Sequence, residues 1–136
     1  MLHDPARVED TRAWLSKARL DLDAGRYELA IPAFLGDVVF HAQQAAEKSF
    51  KGFLAWHDVP LRKTHDLGAI GSVCVKIDGS LRQVVDRAVH LTPYAWKFRY
   101  PGEPGAPTGA EAEAAVATAQ EVYETILALL PREVRP

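Results

Sequence analysis

Phe40-His41-Ala42-Gln43-Gln44-Ala45-Ala46-Glu47-Lys48-Ser49-Phe50-Lys51-Gly52-Phe53-Leu54, followed ten residues later by Thr64-His65-Asp66-Leu67, decides how this chain is read. Val39, Ala42, Ala46, Ser49, Phe53 and Trp56 recur in steps of three and four. That period places them on one face of a helix and makes a bundle seam. The spacing predicts a helix over 33–57, with Glu47 and Lys51 as a favourable i,i+4 pair beside the seam. Gln43 and Gln44 suit hydrogen bonds between helices or across a dimer.

Working outward, Asp4-Pro5 predicts a helix start, with an N-cap followed by proline at the first helical position. Val8, Leu15, Ala18 and Leu22 carry the apolar stripe of that first helix, and Gly25 is its expected stop after Ala24. Beyond Pro60, Thr64 is the expected cap of a third helix, and Asp66 suits its positive end. Its buried stripe is Leu67, Ile70, Cys74 and Ile77, with Gly68 and Gly71 lowering its propensity. Ser80 is the expected cap of a fourth helix with Leu81, Val84 or Val85, Ala88 and Leu91 inward. Pro93 ends or kinks it, or Thr92-Pro93 starts a separate turn through Phe98. Pro101, Pro104 and Pro107 with Gly102, Gly105 and Gly109 predict an exposed loop over 100–109. Thr108 and Glu111 have capping-box spacing. The last helix is expected from Gly109 to Leu130, with Ala115, Ala119, Val122, Ile126 and Leu129 inward.

With no strand alternation and no repeat, these segments predict one all-α domain over 1–136. The expected architecture is an antiparallel up-and-down four-helix bundle with an additional helix. Its 136 residues are enough for a core without staples. A net charge of -2 removes any global positive field, so binding to nucleic acid or anionic lipid would need a local patch. Cys74 is the sole cysteine and sits among apolar residues, which fits a buried small hydrophobe. There is no hydrophobic run of membrane-spanning length and no signal-peptide pattern, so the expected location is the cytoplasm, without membrane contact.

Four pieces of the chain resemble the HEPN domain family. Ala18, Asp21-Leu22 and Ala24 resemble its first-helix signature. Gln43-Gln44-Ala45-Ala46-Glu47-Lys48 with Lys51, and then Thr64-His65-Asp66-Leu67, match the next two. Tyr94 and Arg99-Tyr100-Pro101 resemble the ending of its fourth helix. The resemblance implies an up-and-down bundle that commonly forms homodimers. It also implies one of two roles. Many members are metal-independent ribonucleases with an arginine followed by four to six residues and a histidine. Arginine stabilises phosphate charge and histidine moves protons in that chemistry. Others are helical partners of a minimal nucleotidyltransferase, some of them in toxin–antitoxin pairs.

The chain departs from the nuclease pattern. Arg99 stands where the catalytic arginine is expected, but Tyr-Pro-Gly-Glu-Pro-Gly-Ala follows it, and no histidine occurs downstream. The expectation is therefore a nucleotide-binding or interaction module with a nucleotidyltransferase partner. The alternatives are an RNA endonuclease using Arg99 with His90 or His65, and a structural scaffold. Lys48, Lys51, Lys63 and His65, beside a helix N-terminus, are candidates for a phosphate site for a nucleotide or RNA. Against that stands pairing of the lysines with Glu47 and Asp66, and a role for His65 in fixing its helix start. Arg99 is weighed between a phosphate and a carboxylate of the first helix, Asp21 or Asp23. The five histidines lack metal-ligand spacing, and neither a metal nor a cofactor is expected.

Overall fold

The computed structural model describes residues 3–102 and 105–136. These form five α-helices joined by short links and 3-10 turns, with no strand among the described residues. Helix α1 spans Pro5–Glu28, α2 Leu35–Trp56, α3 Leu67–Ile77, α4 Arg82–Ala88 and α5 Gly109–Ala128. Helix α2 is the hub and packs against α1, α3 and α5. Helix α1 also touches α5, and α4 bridges α3 and α5. This is the all-helical bundle expected from the periodicity. None of the helices among the described residues is long and apolar enough to cross a membrane.

The seam reads as spaced. Val39, Ala42, Ala46, Ser49 and Phe53 are all buried, with Trp56 packed at the margin. Opposite them lie Leu15, Ala18 and Leu22 of α1 and the small-residue stripe Ala112, Ala115 and Ala119 of α5. Alanines let the α5 backbone come close to α2, so this part of the core rests on proximity rather than on bulk. Cys74 is buried, as expected. Burial pushes its thiol up to about 12.

The helix ends differ from expectation where tertiary contact outweighs local propensity. Helix α1 runs through Gly25 to Glu28. Gly25 is buried against α2, and a methyl there would stand 3.6 Å from His41 Cβ and 3.7 Å from the Val38 carbonyl oxygen. Packing against α2 holds the helix past a residue that alone would end it. The α3 cap is Asp66 rather than Thr64. Its carboxylate accepts from the backbone N–H of Gly68 at 2.9 Å and Ala69 at 3.2 Å. Thr64 instead accepts from the Asp66 N–H at 3.1 Å. Likewise Asp78, not Ser80, caps the turn before α4, accepting from the Ser80 N–H at 2.9 Å.

Helix α4 tightens into a 3-10 stretch, Val89–Ala95, that carries Pro93. The proline lacks an N–H, so it cannot donate within that stretch, and the α-helix ends before it. Ile77 and Leu129, expected inside, are exposed because each lies at the end of its helix. Leu130 and Val134 turn inward instead. The capping box of α5 is present, with the Glu111 N–H donating to Thr108 Oγ1 and the Thr108 N–H to Glu111 Oε1, both at 3.0 Å. Of the expected loop over 100–109, residues 103 and 104 lie outside the described residues. Gly102 and Gly105 flank them with φ of +90° and +72°, a region open to glycine without strain.

Candidate functional site

The polar residues of the α2 block fall on two stripes. His41 and Lys48, seven residues apart, project toward α1. Gln43, Glu47 and Lys51, four apart, project toward the start of α3.

On the α1 side, Lys48 Nζ lies 2.7 Å from Asp21 Oδ2, and His41 Nδ1 lies 2.9 Å from Asp21 Oδ1. His41 Nε2 reaches Glu28 Oε1 at 3.3 Å. Burial alone would raise the Asp21 carboxyl, but the hydrogen bonds from His41 and Lys48 outweigh it and hold it below the ordinary aspartate range. The same hydrogen bond from His41 to Asp21 is the main reason that the imidazole is raised above its ordinary value.

On the α3 side, Glu47 collects three donors. Lys51 Nζ is at 2.9 Å, His65 Nδ1 at 2.7 Å and Gln43 Nε2 at 3.2 Å. Burial pushes the Glu47 carboxyl up, and these donors together bring it below the ordinary glutamate range. Gln43 also donates to the His65 carbonyl at 3.2 Å, and Gln44 donates to Gln43 Oε1 at 2.7 Å. The Lys51 ammonium lies 5.6 Å from the centre of the Trp14 ring. Of the candidate phosphate residues, Lys51 and His65 meet at the Glu47 carboxylate, whereas Lys48 is drawn to the α1 side. Lys48 is held by Asp21, not Asp66. Lys51 is held by Glu47, as its spacing implied. His65 is bonded to Glu47 although its side chain is 60% exposed. Lys63 is exposed and enters none of these pairs.

Arg99 does not pair with Asp21 or Asp23. Asp21 is occupied as above, and Asp23 pairs with Arg19 at 3.3 Å and Arg26 at 3.6 Å. The Arg99 guanidinium instead lies over the Phe40 ring of α2, 3.5 Å from its centre. The backbone explains this placement. Phe98 has φ of +69°, a left-handed conformation costly for a bulky residue, and it reverses the chain immediately before Arg99. The Phe98 ring stacks on Tyr94 with centroids 6.3 Å apart, and the Lys97 ammonium lies 5.0 Å from the Phe98 ring centre. Gly36 lies beneath, where a methyl would meet Phe98 Cβ at 3.5 Å. Trp96, 49% exposed, and Tyr100, 63% exposed, flank this segment, and Phe34 is also exposed. The result is a surface of aromatic rings interleaved with Lys97 and Arg99. His90 lines a different hollow with Arg87, Tyr94 and Glu111. Neither His90 nor His65 is hydrogen-bonded to Arg99.

Sequence reasoning missed Asp21 as the hub for Lys48 and His41, and Phe40 as the seat of Arg99. The first left a signal, because Asp21-Leu22 is one of the four resembling pieces. The second left none, since nothing in the local sequence marks Phe98 as left-handed. Among the described residues, no three His, Cys, Asp or Glu side chains gather as a metal site requires.

Comparisons with known proteins fit this architecture. A family model for the HEPN domain matches residues 11–129. The crystal structure of TT1696 from Thermus thermophilus is similar, with a TM-score of 0.76 and 28% identity over 88% of this chain and 98% of that one. ST0689, described as an archaeal HEPN homologue, shares the fold with a TM-score of 0.68 and 24% identity over 90% of this chain and 96% of its own. No match was found among curated protein sequences.

Proposed function

The chain belongs to the HEPN domain family, and on that premise we propose that it is a nucleotide-binding or interaction module. It works as a homodimer with a minimal nucleotidyltransferase partner in a toxin–antitoxin-like pair. One observation carries the reading. The cations of the α2 block are neutralised inside the fold, while Arg99 and its aromatic neighbours remain outward. Lys48 and Lys51 each meet a carboxylate, at 2.7 Å and 2.9 Å. Neither lysine leaves much positive charge for a substrate. Trp96, Tyr100 and Arg99 are exposed on one segment, and aromatic and arginine side chains are the usual anchors of protein interfaces. The same groups suit a nucleotide, with a ring to stack on and a guanidinium for phosphate.

The test is co-expression with a nucleotidyltransferase encoded beside this chain, followed by calorimetry. A complex with Kd in the micromolar range or tighter is expected, and Trp96→Ala with Tyr100→Ala should weaken it at least about tenfold. Absence of binding at micromolar concentration would count decisively against the partner.

A second reading, an RNA endonuclease with a displaced site, draws support from one fact. Arg99 is exposed and pairs with no carboxylate among the described residues. It predicts metal-free cleavage of RNA that Arg99→Ala abolishes. Cleavage unchanged in that variant would sink it.

A further inference from the structure

Between the end of α2, the link over 59–64 and the outer face of α3 lies a cleft of about 300 Å3. Leu54 of α2, Val59 and Leu61 of the link, and Ile70 and Val73 of α3 form its walls. The size falls at the lower end of small-molecule sites, about 300–1,000 Å3, and the composition is the usual one, apolar walls with a few polar groups. The polar lining residues are Lys51, which is buried, Thr64, which is half-buried, and Arg62, which is exposed. Lys51 contributes its stem, because its ammonium is held by Glu47. Arg62 is exposed at the rim and enters no ion pair among the described residues. Thr64 accepts from the Asp66 N–H through its oxygen, which leaves its hydroxyl proton to donate elsewhere. Of the two acidic residues nearest Arg62 in sequence, Asp66 is turned to the first N–H groups of α3 and Asp58 lies 3.8 Å from Arg7.

An apolar pocket ending in a fork of N–H donors and a hydroxyl has the chemistry to hold an amphipathic acid. We propose that this cleft binds a small monoanion with an apolar body, whose carboxylate is taken by Arg62 and Thr64 while its hydrocarbon part fills the space between α2 and α3. Arginine favours this head group because its parallel N–H donors match the two carboxylate oxygens. The site is separate from the Arg99 surface and does not depend on the nucleotidyltransferase reading.

The experiment titrates anilinonaphthalene sulfonate, an apolar anion, into the whole chain and follows its emission. Decanoate and decanol are then added as competitors. Saturable one-to-one binding is expected, with displacement by decanoate at least about tenfold better than by decanol. Arg62→Ala should weaken decanoate about tenfold and leave decanol unchanged. Ala69→Phe, from an exposed position on the rim, should fill the cleft and abolish both. Thermal unfolding checks that the variants fold, and Arg62→Ala, a surface change, keeps the test open should Ala69→Phe not do so. Equal displacement by acid and alcohol, or an unaltered Arg62→Ala, overturns the proposal. So does an absence of binding at about 1 mM, where the affinity would be worth only about 4 kcal/mol.

Discussion

The Lys48 ammonium of α2 donates to the Asp21 carboxylate of α1 at 2.7 Å, across the longest interface of the bundle. Two of the four pieces by which the chain resembles its family are thus one structural device. The pair sits at the edge of the seam, where it is partly shielded from water, and Asp21 also serves His41. Removing the carboxylate strands Lys48 and leaves His41 with Glu28 alone, whereas removing the lysine leaves the aspartate with His41.

Asp21→Asn should therefore cost more than Lys48→Ala. Expected losses in urea unfolding are about 1–3 kcal/mol for the first and about 1 kcal/mol or less for the second. The double variant should lose less than the sum, since the groups share one network. Strictly additive losses would show that the pair contributes nothing as a pair.

Stability should peak near pH 6.5. Asp21 and Glu47 are held below their ordinary values of 3.8 and 4.5, so their contribution is complete above those values and is lost as acid protonates the folded state. His41 is raised above 6.5, so its contribution is complete below 6.5 and is lost as pH rises through the folded value. Burial lowers His57, which therefore gains stability as pH climbs toward 6.5 and adds nothing further above it. Unfolding midpoints measured across pH should fall on both sides, and His41→Gln should flatten the alkaline limb while also weakening the Asp21 part of the acid limb. An alkaline limb unchanged in that variant would refute the assignment.

Gly71 is where α3 meets α4. A methyl there would come within 2.5 Å of Val85 Cγ1, and a β-branched side chain in a helix has little rotamer freedom to withdraw. Gly71→Ala gains about 0.5–1 kcal/mol in helix propensity and meets about 1–3 kcal/mol of overpacking. The expected net effect is a loss, partly relieved in the double variant with Val85→Ala. Gly79→Ala, with nothing within 4 Å, is the control and should shift stability by no more than about 0.5 kcal/mol. A Gly71→Ala protein as stable as the parent would mean that the helices slide apart freely.

Cys74 gives a direct readout of opening. Its thiol is buried, pushed up to about 12, and donates to the Phe50 carbonyl at 3.8 Å. Alkylation of the native chain should run about a thousandfold or more slower than that of the unfolded chain. It should accelerate in Asp21→Asn by the factor that its lost stability dictates. Rapid labelling of the native protein would show α3 leaving α2 without global unfolding.

The helices were legible because an amphipathic stripe is written in the sequence itself, as Val39 through Phe53 show. The capping box at Thr108 was legible for the same reason, since donor and acceptor lie three residues apart. What the sequence withheld depends on neighbours brought from afar. Gly25 reads as a stop until α2 lies against it. Thr64 and Asp66 are both acceptable caps until the chain direction chooses between them. Arg99 had two plausible carboxylates within the first helix, and both were claimed by closer cations. Its position over Phe40 follows from one left-handed residue, Phe98, that no local pattern announces. Of the candidate site, Glu47–Lys51 could be read from i,i+4 spacing, while the link from Glu47 to His65 needed the fold.

The short connection over 29–34 also bears on time. It lets α1 and α2 meet with little loop-closure entropy, whereas α5 must return to α2 from the far end of the chain. Local contacts form early and distant ones wait, so the α1–α2 hairpin is the expected folding nucleus. Leu15→Ala should slow refolding, and Val122→Ala should mainly speed unfolding, as stopped-flow φ-values can measure. A chain emerging from the ribosome would then hold much of its core in place before the sequence of its last helix had been made.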